Sequence, residues 1–201
     1  MINSDLGLGT FGRVLGCKDA KTNRNVAVKA IRNIRRYEES ARLEVKVLTD
    51  VNGRGGRGVE LCVRMLDQFL YLGHYCMVFE PLSVSLYDLI KGNEYAPLPM
   101  SLCWRIARDL VEGVGFLHDM KLIHTDLKLE NVMFRGGESF FLEDYRKRKV
   151  KLPRNGGVKI IDFGGATYDD QHKGKTVNTR QYRAPEVIMQ LGWSMPSDMW
   201  R

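Results

Sequence analysis

Leu122-Ile123-His124-Thr125-Asp126-Leu127-Lys128-Leu129-Glu130-Asn131-Val132 is the stretch from which the rest of the chain is read. It follows the order H-x-D-L-x-x-x-N, which sets a carboxylate, a cation and an amide close together on one loop. Phosphoryl transfer asks for that set. A carboxylate accepts the hydrogen bond of an incoming hydroxyl, a cation shields the γ-phosphate, and an amide oxygen binds metal. Asp126, Lys128 and Asn131 are the candidates for those three roles.

Downstream, the apolar run Val158-Lys159-Ile160-Ile161 reads as a strand leading into Asp162-Phe163-Gly164, where Asp162 would hold Mg²⁺ bridging the phosphates. Ala184-Pro185-Glu186 closes the segment as the anchor after an activation loop. Upstream, Ser85 to Lys91 reads as a short helix and Leu98 to His118 as a longer one. In the longer helix Ile106, Ala107, Leu110, Val114 and Leu117 give an apolar face wide enough to be buried.

At the start of the chain, Gly7-Leu8-Gly9-Thr10-Phe11-Gly12-Arg13-Val14 has the pattern G-x-G-x-x-G-x-V, whose missing β-carbons let backbone N–H groups approach phosphate oxygens. The same glycines open a helix in dinucleotide-binding folds, but here a strand follows. Val14 to Lys18 and Asn25 to Ile31 are β-rich runs joined by a polar turn, which excludes a dinucleotide-binding oxidoreductase. Val26-Ala27-Val28-Lys29 within the second run carries a lysine able to reach the α- and β-phosphates. A helix is expected over Arg36 to Val51, with Ala41, Val45 and Leu48 on one face. Glu44 borders that face and either pairs with Lys29 or is solvated, whereas Glu38 and Glu39 in the first turn serve the helix dipole. After a flexible turn over Gly53 to Gly58, Leu61 to Phe69 and Tyr75 to Glu80 read as two more strands. Pro81 stops ladder bonding, which puts a lobe boundary between residues 82 and 83.

Of the 201 residues, 44% are hydrophobic and 27% charged, the balance of an ordinary globular chain. No apolar run is long enough to cross a bilayer, and Met1 leads into Asn3, Ser4 and Asp5 rather than a signal sequence. Cys17, Cys62, Cys76 and Cys103 are scattered, as packing thiols of a reducing compartment are. A net charge of +7 favours anionic partners such as ATP, acidic peptides or nucleic acid without choosing among them.

Glycine loop, strand lysine, helix glutamate, H-x-D-L-K-x-x-N, D-F-G and A-P-E stand once each in a fixed order, and on these motifs the chain resembles protein kinases. Within them it is similar to the LAMMER, or Cdc-like, branch of the CMGC group. The blocks carrying that closer likeness are Arg36-Tyr37 followed by Ala41-Arg42-Leu43-Glu44, His124-Thr125-Asp126, Asp162-Phe163-Gly164-Gly165-Ala166-Thr167-Tyr168-Asp169-Asp170, and Thr179-Arg180-Gln181-Tyr182-Arg183-Ala184-Pro185-Glu186 with Gly192-Trp193-Ser194. The resemblance implies an α+β, bilobal fold. Residues 1–82 would form an antiparallel sheet with one main helix, and residues 83–201 part of a mainly helical lobe with an activation segment over 162–186. It implies ATP- and Mg²⁺-dependent phosphorylation of Ser and Thr, with tyrosine autophosphorylation, on arginine/serine-rich splicing factors, in the nucleus or cytoplasm. No direct nucleic-acid binding and no membrane partner are expected.

By the same resemblance, Gly7, Gly9, Thr10, Phe11 and Gly12 would cover the phosphates. Leu6, Val14, Ala27 and Met133 would sandwich adenine, Phe79 would close the back of its pocket, and Glu80 and Leu82 would offer it backbone hydrogen bonds. Thr179 would support Asp126 and Lys128.

Thr125 stands where many kinases carry arginine, which removes a bidentate partner for an activation-loop phosphate; activity independent of loop phosphorylation is therefore expected. Leu129 replaces a proline at a cost in rigidity. The insert over residues 135–157, with Arg146-Lys147-Arg148-Lys149 and Lys151, is expected to be a solvated loop, the other readings being a nuclear-import signal or a surface for acidic partners. Ser197-Asp198-Met199-Trp200 looks like the first turn of a central helix, and a chain stopping at Arg201 is expected to be weakly stable or weakly active alone. A nucleotide- or partner-binding product without catalysis is the alternative expectation.

Overall fold

The computed structural model describes residues 1–174 and 176–200. Lys175, inside the expected activation segment, and Arg201, at the end of the expected partial lobe, lie outside the described residues.

Five strands form one antiparallel sheet: β1 (Ile2–Leu8), β2 (Gly12–Lys18), β3 (Asn25–Ile31), β4 (Met65–Tyr71) and β5 (His74–Phe79), in the order β1-β2-β3-β5-β4. The glycines fall at the β1–β2 turn, where the Gly9 N–H donates to the Gly12 carbonyl at 2.8 Å. A β-carbon on Gly12 would lie 2.2 Å from the Ala30 carbonyl oxygen, so only glycine lets β2 run this close to β3. The run expected to start at Leu61 begins at Met65 instead. Arg57–Leu61 coils as a 3₁₀ turn, which lets Leu61 and Cys62 enter the core before the strand starts.

Helix α1 (Arg35–Asn52) lays Ala41, Val45, Leu48 and Val51 against the sheet and the core below it. Glu38 and Glu39 do more than face the dipole, since they pair with Arg42 at 2.7 Å and Arg35 at 2.9 Å along the exposed side. Helix α2 (Leu86–Gly92) is opened by a capping box in which the Ser85 hydroxyl accepts the Asp88 N–H at 3.0 Å. Helix α3 (Met100–Asp119) buries Leu102, Ile106, Val114 and Leu117. Short strands follow as β6 (Leu122–Ile123), β7 (Val132–Phe134), β10 (Val158–Ile160) and β11 (Thr167–Tyr168), with β7 paired to β10 and β6 to β11. One buried cluster joins Leu48 and Val51 of α1, Val114 and Leu117 of α3, and Leu122, Leu127, Ile160 and Phe163 around the loops that carry the polar motifs.

The insert is not a solvated loop. It folds into an antiparallel hairpin of β8 (Phe140–Tyr145) and β9 (Arg148–Pro153). Alternation in Lys149-Val150-Lys151-Leu152 explains this: Val150 and Leu152 point into the core under α2 and α3, while the lysines stay outside. Burying those two side chains contributes about 1.5–3 kcal/mol each. Asn93 then fastens the hairpin, donating to the Lys151 carbonyl at 2.9 Å and accepting its N–H at 2.7 Å. Beyond the Ala-Pro-Glu anchor lie α4 (Pro185–Ile188) and α5 (Pro196–Met199), each opened by proline at its first position.

Candidate active site

Lys29 reaches inward from β3, and its Nζ sits 2.9 Å from both carboxylate oxygens of Glu44 on α1. Glu44 is 5% exposed, which resolves the choice between a paired and a solvated glutamate. The same ammonium lies 3.4 Å from Asp162 Oδ1. Burial works against charge on Lys29, but the Glu44 and Asp162 carboxylates outweigh it and hold the lysine above its ordinary pKa. It is therefore a cation fixed between the Glu44 and Asp162 carboxylates.

Asp126 is held from several sides. Lys128 Nζ lies 2.7 Å from Oδ2, the Thr179 hydroxyl donates to Oδ1 at 2.6 Å, and Asn131 Nδ2 reaches Oδ2 at 3.2 Å and the Asp126 carbonyl at 2.8 Å. Lys128 is also 3.2 Å from the Thr179 hydroxyl. Behind the loop, His124 is fully buried and locked as one tautomer: its Nδ1 accepts the Asp126 N–H at 3.2 Å, so Nε2–H donates to the Ile161 carbonyl at 3.0 Å. Burial pushes its pKa below the ordinary histidine value, which keeps the ring neutral. Leu129, in place of proline, still lies in a tight 3₁₀ turn over Leu129–Asn131.

Thr125 occupies the expected arginine position with φ at 70°, donates its hydroxyl to the Gly165 carbonyl at 2.9 Å, and accepts Asn178 Nδ2 on its own carbonyl at 2.7 Å. Two segments that a phosphate–arginine pair would otherwise bridge are thus joined by neutral hydrogen bonds.

One cavity of about 400 Å³ is lined by Phe11, Lys29, Glu44, Asp126, Asp162 and Thr179, among others. Phe11, at the tip of the glycine turn, meets Tyr37 of α1 edge-on at 5.3 Å. The residues expected to hold adenine lie outside this cavity, on the strands beside it. Ala27 is in register with Phe79 and Val14 with Lys29, Met133 bridges to Ser85, and Leu6 is 58% exposed on β1. At the connector, the Glu80 N–H is already engaged by the Arg64 carbonyl at 3.1 Å, which leaves the Glu80 carbonyl and the Leu82 N–H as the candidates for a purine edge.

The donor set suits magnesium, which takes one or two protein ligands together with phosphate oxygens rather than a full protein cage. Asn131 spends its amide nitrogen on Asp126, leaving its oxygen for a cation, and the Asp162 side chain is 42% exposed toward the cleft. Among the described residues no cluster of three His, Cys, Asp or Glu side chains forms a closed metal cage.

Two residues escaped the reading of the sequence. Asp198, fully buried at its side chain, holds the backbone of the 122–132 stretch, and nothing local in Pro196-Ser197-Asp198 points there. Lys159, 6% exposed, places its ammonium 2.6 Å from Glu80, whose carboxylate also accepts the Arg64 N–H at 2.8 Å. A lone lysine inside an apolar strand was the available signal for it.

The protein kinase domain family matches residues 1–201 in full. The chain belongs to that family. It is 45% identical over 203 residues to the dual specificity protein kinase CLK2 of Homo sapiens, covering 99% of this chain and 40% of that protein. It is 44% identical over 202 residues to the serine/threonine-protein kinase Doa of Drosophila melanogaster, covering 99% and 24%, and 40% identical over 206 residues to the serine/threonine-protein kinase AFC2 of Arabidopsis thaliana, covering 99% and 48%. The chain thus spans less than half the length of these curated relatives. A crystal structure of the kinase domain of PF14_0431 superposes with a TM-score of 0.92 at 36% identity, covering all of this chain and 60% of that one.

Proposed function

We propose that this kinase domain transfers the γ-phosphoryl group of ATP to serine and threonine hydroxyls of proteins, arginine/serine-rich sequences among them, in the nucleus or cytoplasm. Residues 1–82 serve as the nucleotide-holding lobe and residues 83–201 carry the catalytic loop and activation segment. The observation that carries the reading is the convergence of Lys29, Asp126 and Asp162, remote in sequence, on the wall of one cavity.

Each candidate residue is assigned a role in that transfer. Gly7, Gly9, Thr10, Phe11 and Gly12 cover the phosphates, and Leu6, Val14, Ala27, Phe79, Leu82 and Met133 border the adenine with the Glu80 carbonyl. Lys29, oriented by Glu44, binds the α- and β-phosphates. Asp126 accepts the hydrogen bond of the substrate hydroxyl and orients its oxygen toward the γ-phosphorus; Lys128 and Thr179 keep the carboxylate in place. The bond from the substrate oxygen to phosphorus forms as the phosphorus–oxygen bond to ADP breaks, the hydroxyl proton passes to the Asp126 carboxylate, and Lys128 shields the transferred charge. Asn131 and Asp162 would hold Mg²⁺, which would supply positive charge against the charge of the phosphates.

The Thr125–Gly165 and Asn178–Thr125 hydrogen bonds support activity without loop phosphorylation, because they tie the catalytic loop to Gly165 and Asn178 through neutral groups alone. The test is incorporation of labelled phosphate from ATP into an arginine/serine-rich peptide by the phosphatase-treated chain, beside Asp162→Asn. Incorporation lost in Asp162→Asn is expected; equal incorporation by both proteins would refute the assignment.

A further inference from the structure

Tyr168 ends β11, in register with Leu122 of β6, and the next residue, Asp169, donates its N–H to the Lys121 carbonyl at 2.8 Å. The backbone of Tyr168 is therefore part of the ladder that leads directly into His124 and Asp126. Its phenol leaves that ladder and donates to Asp50 Oδ2 at 2.5 Å, across 118 residues. Asp50 lies in the last turn of α1. Two residues on, the Asn52 amide donates to the Val63 carbonyl at 3.1 Å and accepts the Met65 N–H at 2.8 Å, gripping the entry to β4. One turn of helix is thus fastened to the five-stranded sheet by Asn52 and to the catalytic loop by Tyr168.

Glu44 rides on the same rod. At 1.5 Å rise per residue, about 9 Å of helix separates it from Asp50, and an intact helix transmits a fixed end over that distance. At the other end α1 meets the glycine turn through the Phe11–Tyr37 ring contact. Along its inner face it packs through Ala41, Val45 and Leu48, apolar contacts that set distance but not direction. We propose that Tyr168 is a positioning residue for phosphoryl transfer: through Asp50 it fixes α1 against the catalytic loop and so holds Glu44 where it orients Lys29.

Burial, followed by the Asp50 hydrogen bond, pushes the Tyr168 pKa up to about 12, with Arg54 opposing and Asp170 adding to the rise. The phenol remains a donor throughout the neutral range. The device is local and directional, and it links a residue just past Asp162-Phe163-Gly164 to the helix that bears the lysine's partner.

The inference rests on the kinase reading, and its test separates the two. Tyr168→Phe, Asp50→Asn and the double variant are assayed on an arginine/serine-rich peptide, and Tyr168→Phe is also assayed in a Glu44→Gln background. Each single change is expected to lower kcat about threefold to tenfold with peptide KM unchanged, the double to be no worse than either single, and Tyr168→Phe to add nothing once Glu44 is gone. Undiminished kcat, additive losses, or an equal loss in the Glu44→Gln background would overturn the proposal. Hydrogen exchange of the free chain gives a reading that needs no turnover. Faster exchange over residues 44–52, with α3 unchanged, is expected in Tyr168→Phe and Asp50→Asn alike, and unchanged exchange in α1 would overturn it. An inactive wild type with the expected exchange pattern would count against the kinase reading alone.

Discussion

Asp198 accepts the backbone N–H of Thr125 at 2.8 Å on one carboxylate oxygen; the other oxygen takes the N–H of His124 at 2.8 Å and faces His118 Nε2 at 3.1 Å. A fully buried carboxylate so placed fixes the bend at Thr125, whose positive φ a residue with a β-carbon adopts only when its surroundings impose it.

Asp198→Ala should therefore leave two buried N–H groups unpaired, at about 1–3 kcal/mol each. The urea midpoint should drop accordingly, and Asp198→Asn, which keeps one acceptor, should lose less. An unchanged midpoint in Asp198→Ala would show that the bend holds without it.

Acid should destabilise the chain through His124. Its folded pKa is depressed by burial, while the unfolded ring titrates near the usual value of about 6.5. Below that pH the unfolded state binds a proton that the folded state refuses. The His124 contribution is thus fully present above about pH 6.5 and is lost as pH falls toward the folded pKa, with a slope of at most about 1.4 kcal/mol per pH unit. Urea titrations at pH 7.5 and 5.5 should show a smaller pH difference in His124→Asn than in wild type; equal differences would remove His124 as the cause.

Lys29→Met should reduce peptide phosphorylation by roughly 10²–10³-fold, the usual cost of one preorganised electrostatic contact. Glu44→Gln should reduce it less, since the lysine stays present but loses the charge that orients it. Rates within twofold of wild type for Lys29→Met would remove Lys29 from the reaction.

The Lys159–Glu80 pair ties the connector after β5 to the strand before Asp162. Removing one partner of a buried pair typically costs about 3–5 kcal/mol, and somewhat less is expected here because the Glu80 side chain is 25% exposed. Lys159→Met should therefore lower thermal stability clearly, and Lys159→Met with Glu80→Leu should recover part of the loss. A double variant worse than the single would show that the Arg64 N–H, left without its acceptor, outweighs the unpaired charge.

Lys29, Asp126, Lys128, Asn131 and Asp162 were legible because each sits in a short pattern that its chemistry demands at fixed spacing. Helix α1, β3 and β5 were legible to within a residue at each end, whereas β4 starts four residues later than expected and β2 two residues earlier. The hairpin of the insert was missed although Val150 and Leu152 alternate with lysines, because the run of basic residues masks a two-residue period so short. Strand β1 carries no apolar alternation and lies exposed, so its place comes from pairing with β2 rather than from its own residues.

The sequence by itself determined which carboxylate, ammonium and amide groups stand at the candidate site, since those identities and local spacings survive any folding. It also determined the kinase likeness, through the order of the motifs. Only the tertiary structure decided that Glu44 faces Lys29, that Asp198 holds the bend at Thr125, that Lys159 meets Glu80 and that Tyr168 meets Asp50. Each of those partnerships joins residues on different elements, and burial within a shared core, not proximity in the chain, makes a charged or polar group select its partner.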